Sequence, residues 1–312
     1  MMNKTPTWTF TKSVKIFPFT FLLILLPMLA LTQAAQKKLS LAKKVQNLKL
    51  DSTNVGELVY YSEGYLDRAE LISIQLKKAR TFYLDQLGID VKVKIALLDT
   101  IDYHKVSHPI PYGMPFVNNK LIFLPADIST GAVIDMYAPF SNAISEEAKS
   151  NLKDLEMDFG NALNRMVDLI GLHELGHVQN SAMDIDTKQS WFDEFMASYF
   201  GYAFMQNNDP SLAVIWDVIT HAGFDGYTPK HVSLDVFNEL YFGVGVGDYV
   251  WFQNAFQERI RVVYAAKGLD FIGLVKEKLA DSSFKPATAK ELLEKLEEIE
   301  PGFLTWADSL KN

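Results

Sequence analysis

The stretch VDLIGLHELGHVQN, residues 167–180, contains His173-Glu174-Leu175-Gly176-His177. Residues four apart on an α-helix share a face, one turn above the other, so both imidazoles are expected to reach a single zinc ion. Glu174, next to the first histidine, is then close enough to take a proton from a water on that ion. Leu163, Val167, Ile170, Leu175 and Val178 follow helical spacing, as a helix buried along one stripe would. The chain holds only six histidines and two of them stand here, which favours a metal site over a buried helix that carries them incidentally.

A catalytic zinc site needs three protein ligands and an open position. A third histidine at the spacing H-E-x-x-H-x-x-G-x-x-H is excluded, because Asn180 and Met183 occupy those places. The next informative stretch is WFDEFMASYFGYAF, residues 191–204, read as an aromatic-rich helix starting near Ser190. Glu194 is the better candidate ligand there, an acid flanked by Trp191, Phe192 and Phe195 with the small Ala197 one turn on. Asp193 competes with it. Successive helical residues point about 100° apart, so only one of the pair faces the histidine helix. Glu194 has the longer reach between two packed helices, and Asp193 suits the dipole at the helix start.

Upstream, Tyr65 to about Leu87 has helical spacing with Gly88 as its stop, and Val91 to Asp99 alternates and then turns fully apolar, as a strand entering a core does. In YGMPFVNNKLIFLPAD, residues 112–127, Asn118-Asn119 reads as a hairpin turn and Lys120 to Leu124 as the returning strand. His104 and His108 fall in the loop before it. Residues 129–144 read as irregular, and Ser145 opens a helix to Met157. Residues 36–55 read as a loosely held lead-in. Beyond Pro210 the chain is mostly helical: Leu212 to His221, Leu234 to Tyr241, Tyr249 to Ala266, Phe271 to Leu279, and a last helix opened by the capping box Thr288-Ala289-Lys290-Glu291. The expected division is residues 36–180, a mixed α/β front lobe ending in the histidine helix, and residues 181–312, a helical lobe carrying the third ligand.

Composition narrows the function classes. The 312 residues are 48% hydrophobic, enough for a large core, and the net charge of −8 excludes a basic nucleic-acid face. With no cysteine there is neither a disulfide nor a thiolate metal site. At the start, Lys4, Lys12 and Lys15 precede an uncharged run from Ile16 to Gln36 that ends in small residues. Residues 1–35 therefore read as a secretory signal peptide, with an uncleaved membrane anchor as the alternative. Contact with a membrane is expected only in that second case.

At His173, Glu174, His177, Glu194 and Ala197 the chain resembles the gluzincin zinc metallopeptidases, which pair HExxH with a glutamate on a later helix, often as ExxA. The resemblance covers roughly residues 65–265 as an order of elements. It implies an α+β, zincin-like fold: a mixed front lobe with a small sheet, then a mostly helical lobe. It also implies one zinc ion on His173, His177 and Glu194, with Glu174 as general base. An edge strand would hold the substrate backbone by strand addition, and Lys120 to Leu124 is the expected strand. For the developing oxyanion Tyr249 is the first candidate donor, since Asp248 could cap a helix starting there. Tyr241, His231 and His221 follow it. Many relatives carry an acid one turn after the glutamate to orient a ligand histidine; Ser198 stands at that position. The expected activity is that of an exported zinc peptidase acting on peptide or protein substrates. The alternative is an exported zinc protein that binds peptides without cutting them. Glu174 favours the enzyme, because a binder has no need of a base beside the metal.

Overall fold

An apolar strand run that lacks alternation asks to be covered on both faces, and the sheet at the front of this protein is built that way. In the computed structural model, which describes residues 39–311 apart from 107, 226 and 281–283, the chain begins with α1 (Leu41–Asn47), β1 (Asp51–Thr53), β2 (Leu58–Tyr61), α2 (Leu66–Leu87), β3 (Lys94–Leu98) and α3 (Thr100–Val106). The hairpin β4 (Phe116–Asn118) and β5 (Leu121–Pro125) follows, then α4 (Ala132–Tyr137), a 3-10 turn (Ala138–Asn142) and α5 (Glu146–Asp154). The remainder is helical: α6 (Phe159–Ser181), α7 (Ser190–Asn208), α8 (Pro210–Asp225) and α9 (Leu234–Leu240). A 3-10 turn (Tyr241–Val244) then leads to α10 (Val246–Lys267), α11 (Asp270–Leu279), α12 (Ala289–Ile299) and α13 (Phe303–Ser309). The class is α+β, and Leu39–Asn312 make up one compact unit. The expected signal or anchor segment lies outside the described residues. None of the described helices is long and apolar enough to cross a membrane.

The strand order is β1-β2-β3-β5-β4, with β2, β3 and β5 parallel and the two outer strands antiparallel to their neighbours. Ile95, Leu97, Ile122 and Leu124 feed the main core, which continues into the helical part. Ala96, Leu98, Leu121 and Phe123 feed a smaller core with Val45 of α1 and Tyr103 and Val106 of α3. Parallel central strands covered on both faces are fully apolar for this reason. It also corrects the expected edge. β5 lies between β3 and β4 and is buried along its whole length, so the returning arm of the hairpin has no free edge. The free edge belongs to the shorter first arm, β4. The turn sits one residue later than expected: Asn119 and Lys120 carry the positive φ values, 48° and 64°, of a two-residue hairpin loop.

Two stretches expected to lack structure carry regular elements among their described residues. Residues 36–55 contain α1, capped by Ser40, whose side chain accepts from the Lys43 N–H, and β1. Residues 129–144 contain α4 and a 3-10 turn, with Val133 and Tyr137 buried against the main core. Ser145 and Asp158 cap α5 and α6 through their side chains, to the Ala148 and Asn161 N–H groups. Thr288 caps α12 as expected, while Glu291 accepts from the Ala287 N–H, one residue earlier than a capping box requires.

The helix pair α6 and α7 forms the centre. Trp191, Phe192, Phe195, Tyr199 and Phe200 of α7 are all fully buried, each contributing about 1.5–3 kcal/mol by the usual measure of apolar burial. A helix apolar all round is a core helix, so α7 can lie against α6 on one side and α8 to α11 on the others. Small residues set the closeness of the pair. A Cβ built on Gly176 would stand 2.3 Å from the Ala197 carbonyl oxygen, whereas one on Gly201 would make ordinary contact, 3.4 Å from the His173 backbone nitrogen. Buried polar ties fix α2 to the same centre: Arg68 pairs with Asp168 of α6 at 2.5 Å and donates to the Pro125 carbonyl at 3.0 Å. The Tyr83 hydroxyl donates to the Phe200 carbonyl of α7.

Candidate metal centre

The close approach of α6 and α7 brings three donors together. His173 Nε2 lies 3.3 Å from Glu194 Oε2, and His177 Nε2 lies 3.6 Å from Glu194 Oε1. One ligand atom from each of the three residues falls within 4.8 Å of the other two. Bonds of about 2.0–2.1 Å to a tetrahedral ion separate the ligand atoms by about 3.3–3.4 Å, so the two histidine–glutamate separations are compatible with a shared ion. Two imidazoles and a carboxylate are also a borderline nitrogen and oxygen donor set that suits a first-row divalent ion. The group His173, His177 and Glu194 could therefore bind a metal ion. Asp193 is not in the group. It is exposed near the start of α7, yet it too reaches the histidine helix, against the expectation that only one of the pair would: its carboxylate accepts from Asn180 Nδ2 of α6 at 3.3 Å.

Two of the three side chains, His173 and Glu194, are oriented from behind. His173 Nδ1 is 2.9 Å from Ser198 Oγ; with Nε2 turned toward the donor cluster, Nδ1 carries the proton and donates to that oxygen. Ser198 thus stands where the resemblance expects an orienting acid and makes the contact with a hydroxyl. Glu194 is only 1% exposed and receives three donors: the Tyr241 hydroxyl on Oε1, and Gln253 Nε2 at 2.7 Å and the Tyr249 hydroxyl at 3.2 Å on Oε2. Burial alone would raise this carboxyl, but the two histidines and Tyr241 outweigh it and hold Glu194 far below the usual carboxylate range. The same balance runs the other way at His173. Burial lowers it, and the hydrogen bond and charge of Glu194 raise it above its ordinary value. His177 is pulled below its ordinary value by burial and by the charge of His173.

Glu174 does not join the cluster. It lines the adjoining cavity and is pushed up to about 7 by burial, against the opposing charge of His173 and a hydrogen bond from the Val117 N–H. Val117 of β4 and Glu174 line the same cavity. The cavity, of about 390 Å³, opens between Phe116, Val117 and Asn118 on the sheet side and Tyr241, Phe242 and Tyr249 on the helical side.

Of the four expected oxyanion candidates, Tyr249 and Tyr241 line the cavity and the two histidines lie outside its lining. His221 stands 3.2 Å from Glu258, and His231 Nδ1 lies 2.7 Å from Asp248. Asp248 is not the cap of α10, which starts at Val246 after Gly245. Instead its carboxylate accepts from the Tyr227 hydroxyl and from the Lys230 and His231 N–H groups, organising the turn that precedes α9. His104 sits on α3, away from the cavity, whereas His108 lines it, stacked on Phe116 at 4.4 Å. Gln253 was not anticipated, although it lies one turn after Tyr249 on the same face of α10. Tyr241 has a φ of 48° and a ψ of −114°, a backbone conformation that costs a bulky residue roughly 1–3 kcal/mol. Its hydroxyl on Glu194 and its ring against Phe237 and Phe242 hold it there. Comparisons with protein-family models, with curated proteins and with solved structures return no match for this chain.

Proposed function

We propose that the protein is a zinc-dependent peptidase. One observation carries this reading: two imidazoles and a carboxylate at metal-ligand spacing share a cavity with a buried acid, Glu174, that is not needed as a ligand. Two histidines and one glutamate are the ligand set of a hydrolytic zinc site, which keeps a fourth position open. A bound zinc ion supplies Lewis acidity, polarising a carbonyl and making water more acidic. Glu174, with a pKa raised to about 7 by burial, is suited to take the proton of the attacking water and hand it to the leaving amine. Tyr249 and Tyr241 are held well above their ordinary pKa, by burial and by the charge of Glu194, so each stays a hydrogen-bond donor. Tyr249, on the longer of the two bonds to Glu194, is the better candidate to turn to the oxyanion.

The free edge of β4 supports an extended substrate backbone by strand addition, in the place first expected of Lys120 to Leu124. The basic start and apolar run before Gln36 support an exported location as part of the same proposal. The test is zinc analysis of the full chain together with turnover of a mixed peptide library, by wild type and by Glu174→Gln. We expect one zinc in both proteins. Turnover should fall at least about 1,000-fold in the variant, because the amide cannot accept the proton. Activity within tenfold of wild type would remove Glu174 from the mechanism.

A further inference from the structure

The cavity beside the metal group does not end at the donors. It continues inward between α4, α6 and α8, where Met136, Tyr137, Met166, Ile170, Trp216 and Thr220 line it. Three of these six carry polar atoms, and each polar atom is committed elsewhere. The Tyr137 hydroxyl donates to Asn254 Oδ1 at 3.3 Å, Trp216 Nε1 donates to Gln257 Oε1 at 3.0 Å, and Thr220 Oγ1 donates to the Trp216 carbonyl at 2.9 Å. What faces the cavity is ring, thioether and methyl surface. A polar or charged group placed there loses its water and finds no partner.

The mouth is equally informative about charge. Among the described residues that line the cavity there is no lysine or arginine, and no acid besides Glu174 and Glu194. Recognition of a free α-carboxylate calls for a cation, and recognition of a free α-ammonium for a spare acid or a cluster of acceptors. His108 does not supply the cation. Its Nδ1 accepts from the Ile110 N–H at 3.1 Å, and burial and the charge of Lys44 lower its pKa.

Resting on the peptidase reading, we infer that this inner cavity is a subsite for one apolar side chain of an internal stretch of polypeptide, so that the substrate is cut away from its ends. The β4 edge and the apolar subsite then read the same extended segment, one through its backbone and the other through a side chain next to the reacting carbonyl.

The test separates binding from cutting. Short fluorescent peptides, acetylated and amidated, carry Leu, Phe, Asp or Lys at one varied position and are titrated into the full-length, zinc-loaded Glu174→Gln protein. The Leu and Phe peptides should bind roughly 100-fold or more tighter than the Asp and Lys peptides. Freeing either terminus should change nothing. Equal binding of the charged peptides, or binding that needs a free terminus, would overturn the inference. Met136→Lys, which brings a cation to the half-buried wall, should move the preference toward Asp by about tenfold; an unchanged ratio would also overturn it. Wild type is then given the peptides that bind. If it cuts them, both readings stand. If it binds and does not cut them, the peptidase reading fails while the apolar subsite remains.

Discussion

Replacing Gly176 by alanine sets two effects against each other, and the structure decides between them. Helix propensity alone favours the substitution, since alanine in a helix interior is better than glycine by about 1 kcal/mol. Contact geometry opposes it. The new Cβ would stand 2.3 Å from the Ala197 carbonyl oxygen and 2.9 Å from the Ala197 carbonyl carbon, where ordinary contact begins at 3.4 Å. Both groups are backbone, so no rotamer can relieve the clash, and α7 must retreat by about 1 Å. Overpacking of this kind costs about 1–3 kcal/mol, enough to cancel the propensity gain and leave a net loss. The retreat also carries Glu194 away from His173 and His177, when a metal site tolerates deviations of about 0.2 Å. We therefore expect zinc affinity to fall roughly 100-fold, read by competition with a fluorescent chelator, and urea unfolding to shift to lower denaturant. Gly171→Ala, in the same helix, is the control. Its Cβ would meet only the flexible ends of Leu124 and Leu76, at 3.4 and 3.8 Å, so it should gain up to about 1 kcal/mol and leave zinc binding unchanged. If the two variants behave alike, the close helix contact is not what holds the donors together.

The remaining predictions concern the donors and their supports. Glu194→Ala should all but abolish zinc uptake, while Asp193→Ala, whose exposed carboxylate is outside the donor group, should leave it intact; metal analysis of the purified variants that gave the reverse would move the third ligand. Ser198→Ala removes the acceptor behind His173 Nδ1 and should weaken zinc binding about 10-fold or more with a stability loss near 1 kcal/mol; an unchanged zinc titration would show that the imidazole is oriented by packing alone. Zinc affinity should depend on pH through His173, whose pKa in the metal-free protein is raised above its ordinary value by Glu194. The proton competes with the ion, so affinity is fully present above the His173 value and falls about tenfold per unit as pH drops below it. A flat titration between about pH 8 and pH 5 would contradict this, a range that spans the ordinary imidazole value.

How much of this was legible in the chain depends on whether the deciding contact is local. The stop of α2 was, because Gly88 is the residue that adopts a φ of 67° without strain. So was the cap of α5, where Ser145 accepts from an N–H three residues on. The choice between the two arms of the hairpin was not. Both arms are apolar, and which of them is central depends on pairing with β3, more than twenty residues upstream. The role of Asp248 failed for a similar reason. An acid just before an aromatic run suits a helix cap, but the helix had already begun at Val246 and the carboxylate was claimed by Tyr227 and His231 from another segment.

Glu194 shows what made the rest readable. In a helix buried on every side an acid conflicts with its surroundings unless several partners meet it, and the conflict is visible in the sequence even though the partners are not. Two histidines on a facing helix were the legible partners. Tyr241, Tyr249 and Gln253 come from a turn and a helix some fifty residues further on, and a tyrosine or glutamine in an aromatic-rich stretch looks like any packing residue. The glycines carried a similar signal in weaker form. Gly176 sits inside the histidine motif and Gly201 lies one turn beyond Ala197, two positions where helix propensity is given up in a core helix. Read together with Ala197 they outline the strip along which α6 and α7 touch. Small residues on both helices, flanking the buried acid of α7, mark the place where two backbones come close enough that side chains from both could hold one ion.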